Sequence, residues 1–274
     1  MTGKAGLEKY LHLSKKVRRS ILDMAYRTRS PHIGSCFSSV ELLCALYFGV
    51  LRHGPDDRTR PCRDRFVMSK GHAAMVLYAV LHEAGFLSDE DIDGFAVNDG
   101  VLEQHPTRQI EKGIEVSTGS LGHGLSIGAG MALAAKRDGL DYRVYVLLSD
   151  GELNEGSSWE AAMFAAHHGL DNLTAIVDYN KIQALGRTSD IIELEPLAAR
   201  WKAFGWGAVE VDGHDCAAVL DAYGALPFER GHPSVVIGHT LKGKGISFME
   251  DELLWHYRAP DRDEYERAKM ELAS

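Results

Sequence analysis

The stretch VYVLLSDGELNEGSSWEAAMFAAHHGLDNLTAIVDYNKI, residues 144–182, contains two apolar strand-like runs joined by a helical segment. The two runs, 144–148 and 173–178, show no alternation of apolar and polar residues, and the helical segment covers 157–169. Short apolar strands of this kind are typical of a parallel sheet that is buried on both faces. The stretch therefore predicts an α/β fold, a doubly wound parallel sheet with helices on both faces.

Helical and strand-like segments also alternate on both sides of this stretch. The further predicted elements are an opening amphipathic helix over 7–25, a helix over 42–51, a strand over 65–69, helices over 71–84 and 121–137, a helix over 196–204, a strand over 208–211, a helix over 217–226 and a strand over 235–237. The Ser-x-x-Glu pattern from Ser38 to Glu41 predicts a capping box before the 42–51 helix. Because we find no repeat and no linker, we expect a single domain over 1–274 with a loop-rich first third.

Composition and charge exclude several classes of protein. Charged residues make up 25% of the chain and hydrophobic residues 45%, which are globular proportions. The net charge of −9 argues against nucleic-acid binding, which needs a basic face. No apolar run is long enough to cross a membrane or to form a signal-peptide core. The four cysteines show no regular spacing, so we expect buried thiols and a cytoplasmic protein.

Polar residues follow both strands of the central stretch. Asp150 comes directly after the first strand and Asn180 after the second. Ligands of open α/β sheets bind at the carboxyl ends of strands, and Asp, Asn and carbonyl oxygens suit Mg²⁺. Gly151 and Gly156 let phosphate groups approach the backbone closely. The Asp-Gly pair alone is also common in ordinary strand–turn–helix connections. The complete spacing instead favours a site for a metal and a diphosphate.

Several segments of the chain, taken in order, resemble one protein family. They are SKGHAAMVLYA (69–79), EQHPTR (103–108), STGSLGHGLSIGAGMALAAK (117–136), the stretch 149–186, and GHTLKGKGISFMEDELLWHYRAP (238–260). Together they resemble the transketolase family from about residue 15 to residue 260, and the central stretch resembles its thiamine-diphosphate motif. The resemblance implies the thiamine-diphosphate-binding fold, in the form of its diphosphate-binding domain. Because no pyrimidine-binding domain follows in this sequence, the chain resembles the N-terminal subunit of a split transketolase.

The resemblance implies a set of metal ligands and a set of cofactor-binding residues. Mg²⁺ or Ca²⁺ would be coordinated by Asp150, Asn180 and the carbonyl group of Ile182. The residues that would bind thiamine diphosphate are Gly119, Leu121, Asp150, Gly151, Glu152, Asn180 and Ile182. Within this set Gly151 would contact the diphosphate, and the backbone of Gly119 and Leu121 would lie against the aminopyrimidine ring.

The resemblance also implies five catalytic residues. Glu155 matches a family position that hydrogen-bonds, across a chain interface, to the glutamate that protonates the pyrimidine ring; the alternative is a solvated acid in the first turn of a helix. Four histidines match the family's substrate channel, namely His32, His72, His105 and His256. Neutral imidazoles can donate to sugar hydroxyl groups and can accept protons near pH 7. A single histidine is more often structural, and we interpret His167 and His168 as a structural pair.

The expected activity is the transfer of a two-carbon ketol unit from a ketose, phosphorylated or not, to an aldose acceptor. It requires a C-terminal subunit that carries the pyrimidine-binding domain, and two such heterodimers would form a heterotetramer. Ser149, Gln104 and Tyr257 depart from the usual family pattern, so a transketolase-like enzyme acting on a non-standard sugar or a keto acid is an alternative.

Two further alternatives belong to other functional classes. The Gly122-His123-Gly124 sequence before a helix suggests a nicotinamide dehydrogenase, but no clear apolar strand precedes it and Gly128 is misplaced for the dinucleotide fingerprint. A non-catalytic subunit that keeps only the fold is the other alternative. The presence of Asp150 and Asn180 with all four channel histidines argues against it.

Overall fold

Five parallel strands form the central sheet of the computed structural model, which describes residues 4–273. The strands of the chain are β1 Arg65–Met68, β2 Val144–Ser149, β3 Leu173–Tyr179, β4 Ile182–Gln183, β5 Gly186–Arg187, β6 Gly207–Asp212 and β7 Ser234–His239. The sheet has the order β1-β2-β3-β7-β6, and β4 and β5 form a separate antiparallel hairpin. The doubly wound parallel sheet predicted from the sequence is confirmed over the described residues.

Helices cover both faces of this sheet. They are α1 Lys4–Thr28, α2 Ile33–Ser38, α3 Val40–Ala45, α4 Ala74–Glu83, α5 Asp89–Asp93, α6 Gly124–Asp138, α7 Gly156–His167, α8 Thr188–Ile191, α9 Leu197–Ala203, α10 Cys216–Gly224 and α11 Arg262–Ala273. One apolar core lies between the sheet and α1, α3, α4 and α10, and a second lies between the sheet and α6, α7 and α9.

The strand β2 shows why an apolar run without alternation predicts this architecture. All six of its residues are buried. Tyr145 and Leu147 belong to the first core, whereas Val144, Val146 and Leu148 belong to the second. Successive side chains of a strand point to opposite faces, so a strand between two helical layers must be apolar at every position.

Most predicted elements lie within a few residues of their observed bounds, but the capping box is wrong. Ser38 ends α2, and its hydroxyl group donates to Asp178 Oδ2 over 2.6 Å instead of capping α3. The carboxylate of Glu41 accepts hydrogen bonds from Arg18. Tertiary partners therefore take both side chains of the predicted box. The sequence analysis also missed α11 and the β4–β5 hairpin.

Two further expectations concern the burial of the cysteines and the presence of membrane-spanning helices. Cys36, Cys44 and Cys216 are buried free thiols, as expected, but Cys62 is exposed, so the expectation of four buried thiols is wrong at that position. Cys62 lies in the loop before β1, outside both cores. Within residues 4–273 no helix has the length and apolar character that crossing a membrane requires.

Candidate functional site

A cleft of about 320 Å³ opens at the carboxyl ends of β2 and β3. Its walls are formed by His32, Ser35, Lys70, His72, His105, Gly119, Leu121, Ser149, Asp150, Gly151, Asn154, Glu155, Asn180, Ile182, Gln183, Ala184 and His256. Of the twelve site residues predicted from the sequence, the structure brings all but Glu152 to this cleft. Residues that are up to 224 positions apart in the sequence therefore meet at one edge of the sheet.

Asp150 lies at the floor of the cleft, where β2 passes into a short 3-10 turn over Gly151–Asn154. Its Oδ1 accepts from the amide of Gly151 over 2.7 Å, and its Oδ2 accepts from the amide of Lys181 over 2.6 Å. Burial, together with the nearby charge of Asp178, raises the pKa of Asp150 to about 6. A buried carboxyl group whose charge is destabilised in this way would be stabilised by a cation.

The turn after β3 presents two more oxygens beside Asp150. Lys181 has a left-handed backbone, with φ of 66°, so the chain reverses between Asn180 and Ile182. The amide of Ile182 donates to Asn180 Oδ1 over 3.1 Å. The carbonyl oxygen of Ile182 accepts from Lys242 Nζ over 2.9 Å, which shows that this oxygen can receive a positively charged partner.

Two buried lysines in the site were missed by the sequence analysis. Lys70 Nζ is 2.5 Å from Asp178 Oδ2 and 2.8 Å from the carbonyl oxygen of Ser35. Lys242 Nζ donates to Ile182 and also to His256 Nδ1 over 3.0 Å. Burial lowers the pKa of Lys242 to about 8. The available signal was the position of both lysines inside the same sequence motifs that contain the histidines.

Three of the four predicted histidines form a cluster. The ring centroids of His32, His72 and His256 are 5.0–5.7 Å apart. Burial, followed by neighbouring cationic groups, lowers the pKa of His32 to about 4 and that of His256 to about 3. The same causes place the pKa of His72 well below its usual value. These three imidazoles are therefore neutral at pH 7.

The fourth histidine, His105, lies beside Gly119. It is exposed, and a Cβ atom added to Gly119 would be 3.3 Å from its ring. The loop that carries Gly119 also packs against the turn after β1, because Thr118 Oγ1 donates to the carbonyl oxygen of Met68 over 2.7 Å. A Cβ atom on Gly71 would come within 2.7–2.8 Å of the backbone of Thr118 and Gly119. Gly71 thus permits a close approach of two backbone segments.

Glu152, in the 3-10 turn after β2, and Glu155, directly after this turn, differ in their exposure. Glu155 is exposed at the rim of the cleft and makes no side-chain cap hydrogen bond to α7. Glu152 is completely buried and lies behind the wall, where it accepts from the amide of Gly122 over 2.8 Å. The Glu152 side chain therefore does not line the cleft, because the 3-10 turn points it into the protein.

The remaining polar groups of the cleft indicate which ligand it could take. Asn154 Nδ2 is buried and has no hydrogen-bond partner among the described residues, whereas Asn154 Oδ1 accepts from Gln183 over 2.9 Å. Tyr257 is exposed beside the cleft, and its hydroxyl group donates to the carbonyl oxygen of Ala184. No group of three His, Cys, Asp or Glu residues within 4–273 could hold a metal by itself.

The segment that suggested a dinucleotide site has another role in this structure. No strand of the described chain directly precedes Gly122, because β1 ends at Met68 and the next strand is β2. The amide of Gly122 donates to Glu152 and its carbonyl oxygen accepts from Ser157 Oγ over 2.9 Å, so both groups have partners within the protein. This geometry contradicts the dehydrogenase alternative, which needs free amides after a strand.

Comparisons with known proteins agree with this geometry. The family described as "Transketolase, thiamine diphosphate binding domain" matches residues 11–273. The chain is 43% identical over 260 residues to an apulose-4-phosphate transketolase subunit of Phocaeicola vulgatus, with 95% of this chain and 92% of the relative covered. It is 39% identical over 261 residues to the 6-deoxy-6-sulfo-D-fructose transketolase subunit SqwG of a Clostridium species, with 95% of each covered.

A solved structure, "Transketolase from Leishmania mexicana", superimposes with a TM-score of 0.87 at 29% identity. The match covers 96% of this chain and 41% of that chain, so the protein spans about two fifths of the length of this solved transketolase.

Proposed function

The chain belongs to the transketolase family through its thiamine diphosphate binding domain, and from this premise we propose that it is the N-terminal subunit of a split transketolase. The reaction would transfer a two-carbon ketol unit from a ketose donor to an aldose acceptor. Two relatives of nearly equal length that carry subunit names support the division into subunits. The observation that carries the proposal is the cleft, which combines a buried carboxyl group of raised pKa, buried lysines and neutral histidines.

The residues of the cleft fit a diphosphate held through a divalent cation. Asp150, Asn180 and the carbonyl group of Ile182 would bind Mg²⁺ or Ca²⁺, since all three supply the oxygen ligands that hard cations prefer. The buried Nδ2 of Asn154 is a free donor that suits a phosphate oxygen. Lys242, whose hydrogen-bond acceptors are all neutral, adds a positive charge on the same side of the cleft.

The other wall fits a flat ring. Gly119 and Leu121 present backbone and a short apolar surface at the cleft, and Gly119 has no side chain to block a ring. Thiamine diphosphate, when bound, supplies an electron sink for the cleavage and formation of carbon–carbon bonds next to a carbonyl group. The protein's contribution is to hold the cofactor, to position the sugar and to move protons.

The clustered histidines would donate and accept the protons that the reaction transfers. Lys242 has only donors, so His256 Nδ1 accepts its hydrogen bond and the proton of this neutral imidazole lies on Nε2. His32 and His72 are neutral as well, so each ring offers one donor and one acceptor to sugar hydroxyl groups. His105, which also lines the cleft, would contact the substrate from its position beside Gly119. These four side chains are the proposed catalytic residues, together with Glu155.

The proposal includes a second polypeptide. Glu155 is exposed at the rim of the cleft, where a glutamate of the partner could reach it. We propose that the partner is the C-terminal transketolase subunit with the pyrimidine-binding domain, and that two heterodimers assemble as a heterotetramer with two-fold symmetry. The four free cysteines support a reducing, cytoplasmic setting.

Co-purification with the partner subunit tests this proposal. We expect ketol transfer by the complex in the presence of thiamine diphosphate and Mg²⁺, and none by this chain alone. The donor screen should include phosphorylated and sulfonated ketoses, because the two relatives above are named after sugars of these kinds. Full activity of the isolated chain, or a complex that is inactive with every ketose, would contradict the proposal.

A further inference from the structure

Glu152 connects three segments that form the wall of the cleft, although its side chain does not reach the cleft. Its Oε1 accepts from the amide of Gly122 over 2.8 Å and from the hydroxyl group of Ser69. Its Oε2 accepts from the amide of Ser149 over 3.3 Å. Ser69 precedes the turn that carries His72, and Ser149 precedes Asp150. One buried side chain therefore joins the histidine wall, the loop with Gly119 and Leu121, and the floor of the cleft.

The Gly122 backbone is fixed from two sides. Its amide donates to Glu152, and its carbonyl oxygen accepts from Ser157 Oγ over 2.9 Å. Its φ of 86° is in the left-handed region, and an added Cβ atom would lie 2.8 Å from Glu155 Cβ. Since Gly122 directly follows Leu121, these hydrogen bonds determine where the loop backbone lies at the cleft.

We propose that Glu152 is a positioning residue, which holds the loop over Gly119–Leu121 at the distance from Asp150 that thiamine diphosphate requires. This inference rests on the proposed function. Glu152 would act on the ring of the cofactor through the loop. Asp150 would keep its place without Glu152, because Ser149 before it is paired in the sheet and its carboxylate accepts from the amides of Gly151 and Lys181. Loss of Glu152 should therefore weaken binding of the whole cofactor more than binding of a diphosphate group alone.

The test compares two probes in the complex with the partner subunit, namely thiamine diphosphate and inorganic pyrophosphate, each with Mg²⁺. Glu152→Gln keeps the shape of the side chain but replaces one carboxylate oxygen with an NH₂ group. This NH₂ group would face hydroxyl or amide groups that donate to Glu152 in the wild type. We expect its Kd for thiamine diphosphate to rise about tenfold, and its Kd for pyrophosphate to stay within about twofold of the wild type. Ser157→Ala, which removes the hydrogen bond on the other side of Gly122, should change the same ratio in the same direction.

Glu41→Gln is the matched control, because Glu41 is another buried glutamate with several hydrogen-bonded partners, but it does not line the cleft. This control should lower the stability of the fold and leave the ratio of the two dissociation constants unchanged. If Glu152→Gln binds both probes like the wild type, or weakens both equally, the positioning role is overturned. If the wild-type complex itself does not bind thiamine diphosphate, the proposed function fails too, which separates the two failures.

Hydrogen exchange of the wild-type complex tests the same role of Glu152 without any variant. The amide of Gly122 should be protected before any cofactor is added, because its partner is a buried side chain of the protein. Exchange as fast as that of an exposed loop would show that Glu152 does not fix this segment.

Discussion

Replacement of Gly71 by alanine should displace the loop that forms one wall of the cleft. An added Cβ atom would lie 2.7 Å from the carbonyl carbon of Thr118 and 2.8 Å from both the Thr118 oxygen and the Gly119 nitrogen. Ordinary van der Waals contact begins near 3.4 Å, so the two backbone segments must separate by about 0.6–0.7 Å. All three atoms belong to the backbone, so no side-chain rotation can relieve the contact.

The expected cost follows from the size of this displacement. Overpacking by one methyl group destabilises a protein by about 1–3 kcal/mol, and the upper half of this range applies where only backbone can move. We expect the free energy of unfolding of the purified Gly71→Ala chain, measured in urea, to fall by about 2 kcal/mol. In the complex, the affinity for thiamine diphosphate should fall as well, since the displaced loop carries Gly119.

Two other glycines provide controls for this measurement. Gly156 begins α7 beside the cleft, and Gly130 lies on the exposed face of α6; neither would meet an atom within 4 Å, and neither has a positive φ. Alanine at either position should be neutral or should stabilise the chain by about 0.4–1 kcal/mol. A Gly71→Ala chain as stable as the Gly130→Ala chain would refute the close approach.

Three further changes test other parts of the structure. Asp150→Ala should remove the Mg²⁺-dependent part of cofactor binding. Calorimetry of the complex should then give the same affinity for thiamine diphosphate with Mg²⁺ as with a chelator. An affinity that still rises with Mg²⁺ would exclude Asp150 as a metal ligand. Lys242→Met should weaken thiamine diphosphate binding at least about tenfold without lowering the melting temperature, because within residues 4–273 the lost ammonium group bonds only to neutral acceptors. Unchanged affinity would place its charge outside the diphosphate site. Burial alone would raise the pKa of Glu41, but Arg18 and His214 outweigh it and hold this pKa at about 2. The contribution of the Glu41 carboxylate to stability is therefore complete above its unfolded-state pKa of about 4.3, and it disappears as the pH falls through about 2. In urea unfolding, Glu41→Gln should lower the free energy of unfolding by roughly 3 kcal/mol at pH 7 and by much less near pH 2. An equal cost at both pH values would contradict the ion pair.

The strands and the floor of the cleft could be predicted because their signals are local. An apolar run followed at once by Asp150, and a second run followed closely by Asn180, define both the sheet edge and the polar residues on it. The parallel register then places Ser149 opposite Asp178, which brings the two strand ends together. No contact between distant parts of the sequence was needed for this prediction.

The buried lysines could not be predicted, because their partners lie far away in the sequence. Lys70 is 108 residues from Asp178, and Lys242 is 60 residues from Ile182. The direction of the Glu152 side chain could not be predicted either. Neighbouring side chains of a 3-10 turn point to different sides, and the sequence does not show which side is the protein interior. The capping box failed for the same reason, because distant partners took its side chains.

Within the proposed function, the position of Lys242 would suit the histidines of the cleft to a sugar rather than to an anion. Lys242 donates to His256, and together with burial its positive charge keeps His256 and His32 neutral. A protonated imidazole would compete with the lysines for the diphosphate and would lose its acceptor for hydroxyl groups. The ammonium group of Lys242 lies within hydrogen-bond distance of both the Ile182 carbonyl oxygen and His256 Nδ1, so its charge adjoins the proposed metal site and also acts on the histidines. The imidazoles are thereby left as neutral donors and acceptors, which is the state that proton transfer to and from a sugar hydroxyl group at pH 7 requires.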